Sequence, residues 1–326
     1  MRIMHFTDLH LKGPKQTPRW RTGVMADDLL LKTSAILDVY KEYEPDIVTF
    51  GGDFVDTYTT SLWTVNQAVF NLRQMVKPDN PHSFFAAWGQ HDLIGHNPAS
   101  WIGSTASLLS WAALTSDAPY TEFVLSDDGS TPETLHAIGI LNYHPEVHQA
   151  LTDGSLSDKA AEVLVAHAMI VPDPVLWDHA LISDLKVGAH LVLTGDYHPG
   201  FPHERFTNTN GEDAWVVNPG AIARLSIDDK DRPPLVAIID MTDDDFHFEY
   251  VHLPCRPPDE AFNIEAYNEQ TADAEEAGKF AELLSELTRD GVATWEMLFE
   301  RARESGEFDP ETIEEAYQRC QTVQNK

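Results

Sequence analysis

The sequence predicts an α/β chain in which two β-sheets stack as a sandwich with helices outside, followed by a short C-terminal helical region. Three observations carry that prediction. Apolar strand-like runs recur up to about residue 253, and several stop at a glycine followed by Asp, His or Gln. In the amino-terminal part these runs alternate with amphipathic helical patterns, the layout in which strand carboxyl ends and the loops after them face one crevice. From about residue 120 strand patterns crowd together with few strong helices between them, which suits two stacked sheets better than one doubly wound sheet.

The elements follow in order. RIMHF, residues 2–6, is apolar enough for a buried strand and runs straight into Asp8 and His10. From about Ala26 to Tyr43, Leu29, Leu30, Ile36, Leu37 and Tyr40 recur at helical spacing, and Pro45 closes the element. DIVTFGGD is a second strand ending in Gly51 and Gly52, a helix covers about Leu62 to Met75, and SFFAAWGQHD repeats the pattern of strand, glycine and polar cluster. TEFVLS, TLHAIGILNY, AEVLVAHAMI, AHLVLTGD, AWVVN, PLVAIIDM and FHFEYVHL are further strands, the last two joined by a turn at TDDD. After Leu253 the composition changes to PCRPPDE, so residues 254–272 read as a proline-rich linker. Residues 273–326 form an acidic helical tail: helices over about 273–289 and 293–304, and a third with Asp309 as N-cap and Pro310 at its first position. Phe280, Leu283, Leu284, Leu287, Trp295, Leu298 and Phe299 give the tail apolar stripes suited to capping the main domain or docking a partner.

Composition narrows the function classes. With 326 residues and 42% hydrophobic content the chain can bury a large core, and no apolar run approaches the roughly 20 residues of a membrane-spanning helix. The amino terminus reads as a strand rather than a secretory signal, which makes the cytoplasm the expected compartment. Two distant cysteines, Cys255 and Cys320, support neither a disulfide framework nor a thiolate zinc site, so any metal must take oxygen and nitrogen ligands. A net charge of −31 argues against a broad basic nucleic-acid surface. One local exception is KGPKQTPRWR, where Lys12, Lys15, Arg19 and Arg21 beside Trp20 could meet a polyanion, or could equally form a solvated loop.

Five stretches place donors at strand ends: Asp8 and His10; Asp53 and Asp56; Gln90, His91 and Asp92; His167; Asp196 and His198. Each alone has a plain structural reading. DxH arises by chance, GDxxD makes a capped turn, and a histidine in an apolar strand is usually a hydrogen-bonded core residue. Their joint occurrence, each after an apolar run, is harder to assign to structure. Side chains two residues apart at a strand end point to the same side, so Asp8 with His10 and Asp196 with His198 each offer two ligands to one small volume.

The ordered set resembles the calcineurin-like metallophosphoesterase superfamily, whose pattern runs DxH, GDxxD, GNH(D/E), a lone His and GHxH. The resemblance spans about residues 1–253, the catalytic domain. Within the superfamily GGDFVDT, GQHD, VLVAHAMI and VVNPGAIARLS are most similar to SbcD, the nuclease subunit of the bacterial and phage SbcCD exonuclease. It implies a metallophosphoesterase fold with two metals at one edge of the sandwich. Asp8, His10, Asp53 and His198 would bind the first metal, and Asp53, Gln90, His167 and Asp196 the second. His91 would stabilise the transition state or protonate the leaving oxygen, Asp56 would orient His91, and Asp92 would serve loop structure. Tyr143 and His144 lie where a substrate-side contact could be made, with a core tyrosine the plainer reading. Two departures stand out: Gln90 replaces the usual Asn, and Asp196 the first His of GHxH. A carboxylate there favours hard cations, so manganese is the expected metal and magnesium the second choice. The implied activity is phosphodiester hydrolysis in a DNA repair or recombination nuclease. Its implied partners are DNA, an SMC-like ATPase of the SbcC type and a second copy of the chain, with Lys12, Arg19 and Arg21 as substrate contacts. The alternatives are a phosphoesterase for a small ester and an inactive scaffold subunit.

Overall fold

The computed structural model describes residues 1–80, 82–125, 137–242 and 245–272, and positions 299, 300, 302, 303, 310, 313, 314 and 317. The chain divides into two units, Met1–Phe262 and Asn263–Lys326.

The first unit is built on two mixed sheets. One runs in the order β13–β12–β1–β2–β3, with β1 at Arg2–Phe6, β2 at Ile47–Phe50, β3 at Phe84–Ala86, β12 at Leu235–Met241 and β13 at Phe246–His252. The other runs β10–β11–β9–β6–β5–β4, from β4 (Tyr120–Val124), β5 (Ala137–Leu141), β6 (Val163–Ala166), β9 (Leu191–Thr194), β10 (Phe201–Thr207) and β11 (Asp213–Asn218). A two-stranded parallel pair joins β7 (Ile170–Val171) to β8 (Ala180–Leu181). The inner strands are parallel: β1 with β2 and β2 with β3 in the first sheet, and β5, β6, β9 and β11 in the second. Antiparallel pairs lie outside them, at β1–β12, β12–β13, β10–β11 and β4–β5.

Three apolar layers explain why the strands read as near-continuous hydrophobic runs. Ile3, Ile47, Ile138, Val163, Val165, Leu191 and Leu193 fill the space between the sheets. Met4, Phe6, Val48 and Phe50 point the opposite way, against helices α1 (Met25–Tyr43) and α2 (Leu62–Arg73). Leu164, Ala166 and Val192 face the short helix α3 (Val147–Thr152) on the other side. Alternate residues of one strand thus enter different layers, and a register slip of one residue would exchange them. His5 shares the inner face: its Nδ1 lies 2.9 Å from Thr49 Oγ1 and its Nε2 3.3 Å from the Thr194 carbonyl of the opposite sheet.

The expected sandwich with outer helices is the observed architecture. Strand β10, FPHERFT, is an addition. It lies at a sheet edge with mostly exposed or half-buried side chains and starts beside a register irregularity, so it carries no apolar run to read. The stretch read as linker begins inside the first unit. Arg256 Nη2 donates to the Thr22 carbonyl at 2.8 Å, and Phe262 makes a β-bridge with Arg21. In the second unit residues 264–272 are helical, and Phe299, Ala302 and Ile313 are buried. The helices expected over 273–289 and 293–304, and nearly all of the third, lie outside the described residues. Among the described residues no helix is long and apolar enough to cross a membrane.

Candidate metal centre

The donors stand where parallel strands end. Asp8 and His10 follow β1, Asp53 follows β2, Gln90 and His91 follow β3, His167 follows β6, and Asp196 and His198 follow β9. Both sheets therefore deliver polar side chains to one edge. The backbone there is strained: Asp8 has φ 53°, His10 42°, Asp53 53° and Asp196 75°. A left-handed conformation costs an L-residue roughly 1–2 kcal/mol. Such conformations persist where surrounding contacts over-determine them. Here Asp8 N donates to the Gly52 carbonyl at 3.0 Å, His10 N to the Asp53 carbonyl at 2.9 Å, and Asp196 N to the Asp8 carboxylate at 3.1 Å.

Two groups of donors result, one from Asp8, His10, Asp53 and His198, the other from Asp53, His167 and Asp196, with the donor atoms of each within 4.8 Å of one another. Asp53 belongs to both. Its Oδ2 is 3.4 Å from His10 Nε2 and its Oδ1 is 3.5 Å from His167 Nε2, so the two oxygens serve different groups. In the first group His10 Nε2 and His198 Nε2 stand 3.0 Å apart, each 3.8 Å from Asp8 Oδ1. Gln90 joins the second: its Oε1 is 2.9 Å from His167 Nε2, and its Nε2 donates to Asp196 Oδ1 at 2.7 Å.

The electrostatics fit cations. Asp8 and Asp53 are fully buried, and Asp53 Oδ2 has no hydrogen-bond partner among the described residues. Burial, with Asp92, Asp8 and Asp196 nearby, pushes the Asp53 carboxyl well above the ordinary carboxylate range. Burial likewise raises Asp8 to about 6, and it holds His10 and His198 below the ordinary histidine range. Clustered carboxylates around neutral imidazoles, with one oxygen orphaned, are what divalent cations neutralise. His167 is aimed from behind, its Nδ1 2.7 Å from the Gly51 carbonyl, which leaves Nε2 for the centre. Glycine is required at two positions. Gly52, at φ 104°, would put a Cβ 2.3 Å from His167 Nδ1, and a Cβ on Gly89 would stand 2.1 Å from Asp53 Oδ1.

A cleft of about 740 Å³ opens over the donors. His91 lines it with a partly exposed ring. Its N–H donates to Asp53 Oδ1 at 3.1 Å and its Nδ1 lies 3.0 Å from the Asp56 carbonyl oxygen. The link expected between His91 and Asp56 thus runs through the main chain, while the Asp56 carboxylate pairs with Lys12. Asp92 is buried under the loop and accepts from the N–H groups of Gly89, Val55 and Phe54 at 2.9, 3.0 and 3.3 Å. Lys12 lines the cleft. Arg19 lies over its neighbour Trp20 at 4.4 Å. Arg21 turns away from the cleft to Asp28 at 2.6 Å, because a long cation beside the start of α1 finds a carboxylate there. Tyr143 packs against the core beneath α1 and α2, its N–H donating to the Trp88 carbonyl, and half-buried His144 receives the Glu146 N–H. Sequence reasoning missed Trp177, Tyr197 and Asp229 in the cleft wall. The tyrosine inside GDYH was the available signal; Trp177 sits in a loop without a pattern, and Asp229 ends a single 3-10 turn, Ile227–Asp229, capped from Ser226.

A family model described as calcineurin-like phosphoesterase matches residues 1–200. No curated protein matches the chain. Among solved structures it is similar to a dimetal phosphatase from Danio rerio, at 12% identity over 77% of this chain and 96% of that one, with a TM-score of 0.47. It is also similar to the calcineurin-like phosphoesterase YfkN from Bacillus subtilis, at 12% identity over 79% and 93% of the two chains, TM-score 0.42. A third is the phosphoesterase Yfce from E. coli, at 13% identity over 78% and 100%, TM-score 0.37.

Proposed function

The chain belongs to the calcineurin-like phosphoesterase family, and on that premise we propose that it hydrolyses a small phosphoester at a two-metal centre. The observation that carries this reading is the division of Asp53, one oxygen towards each donor group. Asp8, His10, Asp53 and His198 would hold one metal, and Asp53, Gln90, His167 and Asp196 the other. Manganese or magnesium bound there would polarise phosphate oxygens and make an attacking water more acidic.

The chain's own groups supply the rest. His91 keeps the Nδ1 proton on the Asp56 carbonyl, which leaves Nε2 facing the cleft. When doubly protonated, His91 donates from Nε2 to the departing ester oxygen, a contribution of about 10²–10⁴ in rate. Asp56 holds the largely buried Lys12 in the cleft wall, where the ammonium would meet a phosphate oxygen. Trp177 and Tyr197 offer apolar wall to the organic part of the ester.

The lining favours a small substrate. Among the described residues of the cleft wall Lys12 is the sole Lys or Arg, whereas Asp56, Asp196 and Asp229 all face it. A long polyanion needs several phosphate contacts to bind at physiological salt. The second reading is a manganese-dependent DNA nuclease subunit of the SbcD type, working with an SMC-like ATPase that supplies the missing basic surface. The indole of Trp177, 66% exposed at the cleft mouth, supports it as a platform for an unstacked base. The test is to assay the purified full chain with manganese on p-nitrophenyl phosphate, bis-p-nitrophenyl phosphate and linear DNA. Turnover of a small ester without DNA cleavage is the expected result; DNA cleavage would move the assignment to the nuclease, and no turnover of any of them would defeat both.

A further inference from the structure

A second cavity, of about 420 Å³, is lined by none of the metal-centre donors. Its polar wall is Arg21, Lys32, Arg224, Arg256, Asp28, Ser34 and Asp38, the last an exposed carboxylate 3.7 Å from Lys41 outside the cavity. Lys32 is 6% exposed, Arg224 5%, and the Arg21 side chain 5%, so three of the four cations are out of water. Buried Lys and Arg are ordinarily matched by carboxylates. Here, among the described residues, Asp28 is the one carboxylate hydrogen-bonded to the four cations, accepting from Arg21 Nη2 at 2.6 Å and Arg256 Nη2 at 2.8 Å. Other hydrogen bonds go mainly to main-chain carbonyls: Arg21 to Arg224, Arg224 to Lys230 and Arg256, Lys32 to Pro254, Arg256 to Thr22 and Glu260. Carbonyls satisfy donors without cancelling charge. Burial brings Lys32 down to about 8, with Arg224 and Arg21 adding to the effect and Cys255 and Asp28 opposing it. Nε of both Arg21 and Arg256 has no acceptor among the described residues. Such a cationic cluster is conspicuous in a chain of net charge −31.

We propose that this cavity is a second ligand site, for a phosphate-bearing small molecule whose anionic group meets Arg21, Lys32, Arg224 and Arg256 and whose organic part lies along Leu31 and Pro254. A phosphate dianion removes more of the imbalance than a carboxylate, and guanidinium forks match its oxygens in pairs. The volume lies within the ordinary range of small-molecule sites, about 300–1,000 Å³. The segment Arg224–Ser226 borders both cavities, with Arg224 on this one and Leu225 and Ser226 on the catalytic cleft. The proposal stands independently of the phosphoesterase reading.

Chelation separates the two sites. Without divalent cations the catalytic cleft is a cluster of carboxylates that repels phosphate, so binding in EDTA reports the cationic cavity. The full chain is titrated calorimetrically in EDTA with inorganic phosphate and with adenosine 5′-monophosphate. In parallel, alkylation of Cys255, an exposed thiol on the cavity wall, is followed by peptide mass spectrometry with and without each probe. Expected are saturable binding at one site per chain, slower Cys255 alkylation, and affinity about tenfold or more weaker in Arg256→Gln, as for the loss of one charge-assisted hydrogen bond. Tighter binding of the nucleotide than of phosphate assigns the apolar wall to an organic group; equal affinity assigns the site to the phosphate group alone. Absence of saturable binding by either probe, with unprotected Cys255, overturns the proposal. Unchanged affinity in a folded Arg256→Gln protein overturns it as well.

Discussion

Gly89→Ala isolates the second donor group. At Gly89 the backbone is extended, φ −108° and ψ −178°, a conformation alanine adopts without strain. The added Cβ would stand 2.1 Å from Asp53 Oδ1 and 2.5 Å from His167 Nε2, the two atoms the second group depends on. Side-chain Cβ atoms do not approach neighbours closer than 3.0 Å, so the Asp53 oxygen must retreat by nearly an ångström or the loop must lift. Asp53 cannot swing freely, since the same Oδ1 accepts the His91 N–H at 3.1 Å and the carboxylate is fully buried. Misplacing a reacting group by about 1 Å costs on the order of 10²-fold in rate. Overpacking a buried site costs about 1–3 kcal/mol of stability. The variant is therefore expected to fold with a lowered Tm, to hold one manganese per chain instead of two, and to lose about 10²-fold in kcat/KM on bis-p-nitrophenyl phosphate. The assay is steady-state turnover beside calorimetric titration of manganese into chelated, dialysed protein. A Gly89→Ala enzyme with two bound metals and wild-type turnover would refute the packing argument.

His91→Ala is expected to lower kcat by about 10²–10⁴ while manganese stoichiometry stays at two, because His91 lies outside both donor groups; full turnover would remove it from the reaction. Asp92→Ala leaves three buried N–H groups without their acceptor, a loss of about 3 kcal/mol or more read as a drop in denaturation midpoint, and an unchanged midpoint contradicts it. Asp196→His exchanges a hard ligand for a borderline one, so zinc should bind tighter relative to manganese in competition titrations; an unaltered preference would mean that Asp196 is not a ligand. Burial holds His5 at about 4 against an ordinary 6.5. The unfolded chain therefore takes up the proton first as the pH falls. The stability due to a neutral His5 is complete above 6.5 and lost on the way to 4, on the order of 3 kcal/mol. Chelated wild type should lose more stability than His5→Phe across that window, and parallel pH profiles would contradict the assignment.

How much of this was legible in the sequence depends on the kind of signal. Strands β1, β2, β3, β6 and β9 are buried on both faces, so they show as apolar runs, and the polar residues after them stand out by contrast. That contrast, with the α/β alternation, is enough for the sandwich and for gathering carboxylates and imidazoles at one edge. Strand β10 escapes because an edge strand with one buried residue has no run to display. Arg21 escapes for another reason: a basic residue in a proline-containing loop reads as solvated, and only the tertiary position of Asp28 buries it. The partner of the Asp56 carboxylate was equally hidden. The family resemblance placed Asp56 beside His91, but the closer cation, Lys12, comes from the loop after β1, and no local pattern relates the two loops.

The central claim is that Asp53 is shared between two metal ions. Its most direct test is the manganese content of reconstituted, desalted protein, measured by plasma mass spectrometry for wild type and Asp53→Ala alongside turnover of bis-p-nitrophenyl phosphate. The account predicts two manganese per wild-type chain, and in the variant both the loss of bound metal and the loss of turnover. One manganese or none in active wild type, or an Asp53→Ala protein that still holds two and still turns over, would contradict it.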